Sequence, residues 1–160
     1  MQHAVGPAST FVEWLAPDEI DMTGEPESFV KLDVGRRLMV LRHASGACLL
    51  LNDAGLCSIY PARPAPCAAY PFALDDTYDP DGRRRLFVLP DSPCGDSPLE
   101  QSPSALAAAM NVETELSDYV NRVGVWNRRQ NRRRLAGHRS QTADVFLAFL
   151  MSSQFEPHER

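Results

Sequence analysis

Four cysteines, Cys48, Cys57, Cys67 and Cys94, are the residues of this 160-residue chain whose type and grouping could do chemistry together. A thiolate is both a soft metal ligand and a nucleophile, so a group of them poses a choice between metal binding and covalent chemistry. Three fall in one stretch, broken by Asn52-Asp53-Ala54-Gly55 and by Pro61, Pro64 and Pro66, and the fourth sits in Asp91-Ser92-Pro93-Cys94-Gly95-Asp96. The intervening gaps of eight, nine and 26 residues are unlike the Cys-x2–4-Cys knuckles of common zinc modules. Four thiolates on one ion make a closed tetrahedral site for zinc or, with inorganic sulfide, an iron–sulfur cluster, which implies a structural or electron-carrying role. With three cysteines, His43, water or substrate takes the last position and Lewis-acid chemistry becomes accessible. Metal-free buried cysteines, which pack as small core residues, are the plain alternative.

Other signatures are missing. The chain has no Gly-x-Gly-x-x-Gly, Gly-Lys-Ser/Thr phosphate loop, His-Glu-x-x-His or Gly-x-Ser-x-Gly. The acids of Asp75-Asp76-Thr77-Tyr78-Asp79-Pro80-Asp81-Gly82 lack EF-hand spacing and read as a solvated turn or hairpin tip. A Cys–His nucleophile pair is conceivable only at His43 and Cys48, with no third residue identified to orient it, so whether the chain is an enzyme stays open.

The elements that position the cysteines follow from local signals. Arg37–His43 and Cys48–Leu51, flanking Ala44-Ser45-Gly46-Ala47, read as a β-hairpin with a four-residue loop that sets His43 across from Cys48. Asn52–Gly55 is a turn that can return Cys57 towards Cys48. The prolines then leave room for at most one helical turn, near Ala65 to Ala69, to present Cys67. A short helix is expected from Ala16 to about Gly24, and a strand from Arg83 to Pro90 leads towards Cys94. A helix capped at Ser102-Pro103 runs to about Arg129 with a kink near Asn111, and Ala136-Gly137 separates it from a last helix over Thr142–Ser153. Tyr119 and Trp126 fall on its core stripe. The tail from Phe155 should fray. The fold class is α+β: a cysteine-bearing region over 1–100 with antiparallel strands and Pro-rich loops, and a helical region over 101–160 packed on it as a single domain.

Composition sets wider bounds. With 44% hydrophobic residues the chain buries roughly 70% of its unfolded surface, so it needs no disulfides to fold. A net charge of −5 disfavours a general nucleic-acid binder. Yet Arg122, Arg128, Arg129, Arg132, Arg133, Arg134 and Arg139 form an acid-free run, either a solvated face or a patch for RNA or an acidic partner. Lys31 is the only lysine. No basic-then-apolar leader opens the chain, and Val145–Met151 is too short an apolar run to span a bilayer, so a cytoplasmic location with reduced thiols is expected.

Cys48, Gly55-Leu56-Cys57-Ser58-Ile59-Tyr60, Arg63-Pro64, Cys67 and Tyr70-Pro71-Phe72 together resemble the YkgJ-type zinc- or iron-chelating cysteine-cluster family, the CxxCxxCC domain, to which flagellin lysine N-methylases are related. The resemblance implies Cys48, Cys57, Cys67 and Cys94 as ligands of zinc or iron, an iron–sulfur cluster among the options. An enzyme related to the methylases, or a metal-free scaffold with an Arg-rich partner-binding helix end, is the alternative. Two departures stand out. The family's opening cysteine cluster does not precede Cys48, as though the chain began downstream of it. Ala68 also stands where the family tends to place an arginine after the third cysteine.

Overall fold

The computed structural model describes residues 7–20, 26–60, 63–78, 80–82, 84–89 and 103–152. Antiparallel strands and a long helix make the chain an α+β protein. Its residues cluster into two compact units, one formed by 1–58 with 119–160 and one by 59–118.

The first unit is built on β1 (Val12–Leu15), β2 (Val30–Leu32) and β3 (Gly35–Leu41), an antiparallel sheet ordered β1-β3-β2. Register pairs Trp14 with Met39 and Leu32 with Gly35. The expected helix after Ala16 is a 3-10 turn, Pro17–Glu19, whose Glu19 carboxylate accepts the Ala16 N–H. The stretch 21–25, where that helix was expected to end, lies outside the described residues.

A short ladder follows, β4 (His43–Ala44) against β5 (Ala47–Cys48). Its loop has two residues, not four. Ser45 and Gly46 both take positive φ, 52° and 82°, as a tight type I′ connection requires, and this lets Ala44 and Ala47 pair.

The second unit carries α1 (Ala65–Ala69), a single helical turn where the prolines allow one. Next come β6 (Phe72–Tyr78) and β7 (Arg84–Val88), an antiparallel pair. The acids read as a loop tip thus begin inside a strand. Leu74 pairs with Leu86 and Tyr78 with Arg84, so β6 spends two extra residues on a bulge at Asp75–Thr77. Arg84 closes the bulge, donating Nε and Nη2 to the Asp75 carbonyl at 3.1 and 3.0 Å. Its Nη1 is ion-paired with Glu113. Thr77 N–H donates to the Asp75 carboxylate, which holds that carboxyl below its usual range with help from Arg85 and Arg84.

Helix α2 (Pro103–Leu135) is longer than expected, because arginine is a good helix former and nothing breaks the pattern before Gly137. There φ of 77° permits a Schellman ending, with His138 N–H to Arg133 O at 2.9 Å and Gly137 N–H to Arg134 O at 3.0 Å. Ser102, the cap expected from the sequence, lies outside the described residues, as does the tail from 153. Helix α3 (Ala143–Met151) is the last described element.

The core belongs to the first unit: Val30, Leu32, Val123, Trp126 and Phe146, with Trp14, Met39, Tyr119, Phe149 and Leu150 packed on it. Phe146 meets Trp126 and Trp14 edge-on, at 5.2 and 5.9 Å between ring centres. The free edge of β2 is satisfied by α2 side chains. Asn127 accepts Lys31 N–H and donates to Phe29 O, and the Trp126 indole donates to Lys31 O, each at 2.8 Å. An edge strand is thereby closed to further pairing. Fully buried Gln130 pairs with Gln141 through two 3.0 Å hydrogen bonds.

Candidate metal centre

His43 and Cys48 face each other across the short ladder, as the sequence suggests. Leu49 N–H donates to Arg42 O at 3.3 Å, so residues 42 and 49 form a hydrogen-bonded pair and 43/48 is the adjoining non-hydrogen-bonded pair. That kind of pair brings Cα atoms to about 4.5 Å and side chains to their closest approach. His43 is exposed and Cys48 half-buried. Leu50 N–H donates to the Cys48 sulfur at 3.5 Å.

Two turns then return the chain. Leu51 N–H to Cys48 O at 3.1 Å closes the first, and Leu51 pairs with Cys57 in an isolated antiparallel bridge. A turn end-to-end distance under ~7 Å and a bridge of ~5 Å keep the Cys48 and Cys57 Cα atoms within about 12 Å. The second is the Asn52 turn: Gly55 N–H donates to Asn52 O at 2.8 Å, with Gly55 at φ 73°. The Asn52 side chain accepts from Ala54 and Leu56 N–H, both at 3.0 Å. Ser58 locks the return through its N–H and hydroxyl to Leu50 O, both 2.8 Å.

Cys67 lies exposed on α1 in the second unit. Two side chains fix that turn. Glu115 accepts Ala65 N–H at 3.3 Å, meeting one of the amides a helix start leaves unbonded. Arg63 stacks over the Tyr60 ring at 4.3 Å and reaches the Ala68 carbonyl at 3.5 Å. The cation absent at position 68 thus approaches the same turn from Arg63. Arg63, four residues ahead of Cys67, was a visible hint of that role; nothing local pointed to Glu115. Cys94 lies outside the described residues.

Cys48 and Cys57 are half-buried thiols in no disulfide. Among the described residues no three His, Cys, Asp or Glu side chains converge on one metal position. The donors are the soft sulfur and imidazole that suit zinc and iron, with His43 and Cys48 on the short ladder, Cys57 just beyond the Asn52 turn and Cys67 on α1. The family model of the CxxCxxCC domain, described as "Putative zinc- or iron-chelating domain", matches residues 13–95, and the chain belongs to that family. Neither the curated proteins nor the solved structures contain a match. Among the described residues no helix is long and apolar enough to cross a membrane.

Proposed function

We propose that this chain is a zinc- or iron-binding protein of the YkgJ type in which Cys48, Cys57, Cys67 and Cys94 are the ligands. The observation that carries the reading is the family match over 13–95, which contains all four cysteines. The chemistry of the donors supports it. Zinc bound by four thiolates would brace the loops, whereas an iron–sulfur cluster would supply one-electron transfer. The chain's own part is to present sulfur: the ladder and the Asn52 turn hold Cys48 and Cys57 on one loop, while Glu115 and Arg63 fix the turn that displays Cys67. A reducing compartment such as the cytoplasm keeps these thiols available.

Metal analysis and the visible spectrum of anaerobically purified, tag-free protein test the reading. About one zinc per chain, or an iron–sulfur chromophore, is expected, and Cys57→Ser and Cys67→Ser should each release it. Folded protein that carries no metal and has the same melting temperature with and without chelator would overturn it.

A further inference from the structure

The arginine run of α2 is divided by the fold into two rows. Arg122 donates to Leu150 O at 2.9 Å, Arg129 lies over the Phe149 ring at 5.1 Å, and Arg133 reaches Arg139 O. These three serve packing. Arg128, Arg132 and Arg134 are exposed, and their side chains make no hydrogen bond or ion pair among the described residues. Arg128, Asn131, Arg132 and Leu135 share one helix face at the i, i+3, i+4, i+7 spacing. The fold adds a cation the linear run lacks: Lys31 Nζ donates to Asn131 Oδ1 at 2.8 Å, and Arg134 flanks the same asparagine.

We propose that this exposed side of α2, with Arg128 and Arg132 on one flank of Asn131 and Arg134 and Lys31 on the other, docks on the phosphate backbone of duplex DNA. Clustered cations along one helix, with no acid between Tyr119 and Ala143, are the electrostatic footprint of phosphate binding. The row bears donors and one apolar residue, Leu135, and so lacks the apolar centre on which protein interfaces rest. It has no aromatic ring on which single-stranded bases could stack. A helix enters the wide major groove of B-DNA but not the deep, narrow one of A-form RNA. Arg128 and Arg132 are one turn apart, a rise of ~6 Å, so both face the same strand.

Fluorescence anisotropy of the full chain with a labelled 20-base-pair duplex, titrated at 50 to 200 mM salt, tests the proposal. Four phosphate contacts predict a log–log salt slope of about −3 to −4 and a loss of about a hundredfold in affinity across that range. The triple variant R128Q/R132Q/R134Q should lower the steepness by about 3 and K31Q by about 1, with R85Q as an unaffected control. Circular dichroism and melting temperature establish that each variant folds. Absence of binding at 50 mM salt overturns the proposal, as does a folded triple variant with the wild-type slope. So does tighter binding of polyglutamate, single-stranded DNA or duplex RNA than of the duplex DNA.

Discussion

Two parts of the first unit are held together in different ways. Around Phe146, side chains from three elements interlock, Val30, Val123 and Phe146 have no exposed surface, and the edge of β2 is closed by Trp126 and Asn127. From Arg42 to Ser58, Leu50 is the one buried side chain, while Leu49, Leu51 and Leu56 remain 39, 41 and 66% exposed. That segment keeps its shape through turn hydrogen bonds and a two-residue ladder. The protein's stability resides in one place and its candidate ligands in another. A bound ion would therefore add most to the cysteine segment, where the chain itself supplies least.

The sharpest way to break this contrast is to compare Phe146→Ala with Cys48→Ser in metal-free protein. Truncating a fully buried phenylalanine among three aromatic neighbours should cost about 3–5 kcal/mol and lower the unfolding midpoint of the whole first unit. Cys48→Ser, at a half-buried site, should cost under about 1 kcal/mol in the same denaturation experiment. Equal losses would show that the cysteine segment is part of the core.

Local signals made the candidate site more legible than the scaffold. Pro61, Pro64, Pro66 and Pro71 left one slot for a helical turn, and α1 fills it. Asn52 to Gly55 formed the turn their types demand. The opposition of His43 and Cys48 was visible even though the loop between them is shorter, because both loop lengths leave those two residues facing. The sheet was less legible. Pairing Val12 with Leu41 depends on a partner far along the chain, and no local pattern sets that register. Two acids in β6 disguised a strand whose bulge is closed by Arg84. On α2, Asn127 and Gln130 look like interruptions of the apolar stripe, yet they are the groups that bond the edge of β2 and Gln141. The arginine run concealed its division, since Arg129 and Arg128 differ only in which side of the helix they occupy.

A smaller effect marks the core by pH. The Tyr119 hydroxyl is buried without a hydrogen-bond partner among the described residues, and burial pushes its pKa up to about 12. An unfolded tyrosine titrates near 10, so the folded state holds its proton more tightly. The associated stability is complete below about pH 10 and is lost as pH rises through about 12, on the order of 2 kcal/mol. Tyr119→Phe should abolish that alkaline loss and be neutral or stabilising at pH 7, since it removes an unpaired hydroxyl. Denaturation at pH 8 and pH 11.5 checks both. An unchanged alkaline loss in the variant would place the sensitive group elsewhere.

The least effect expected is also the most local. Asn52→Ala removes the acceptor for two amides and should cost the loop about 1 kcal/mol, with little change in global unfolding. Hydrogen exchange resolves it: the amides of Ala54 and Leu56 should exchange about five times faster, while the Trp126 indole, bonded to Lys31 O in the core, keeps its wild-type rate. Zinc added to wild-type protein should act on the same segment with opposite sign, slowing those amides by mass action because ligation favours the closed loop. If zinc slowed the Trp126 indole as much as the Asn52 turn, ligand segment and core would open as one body, and the separation of stability from chemistry would fail.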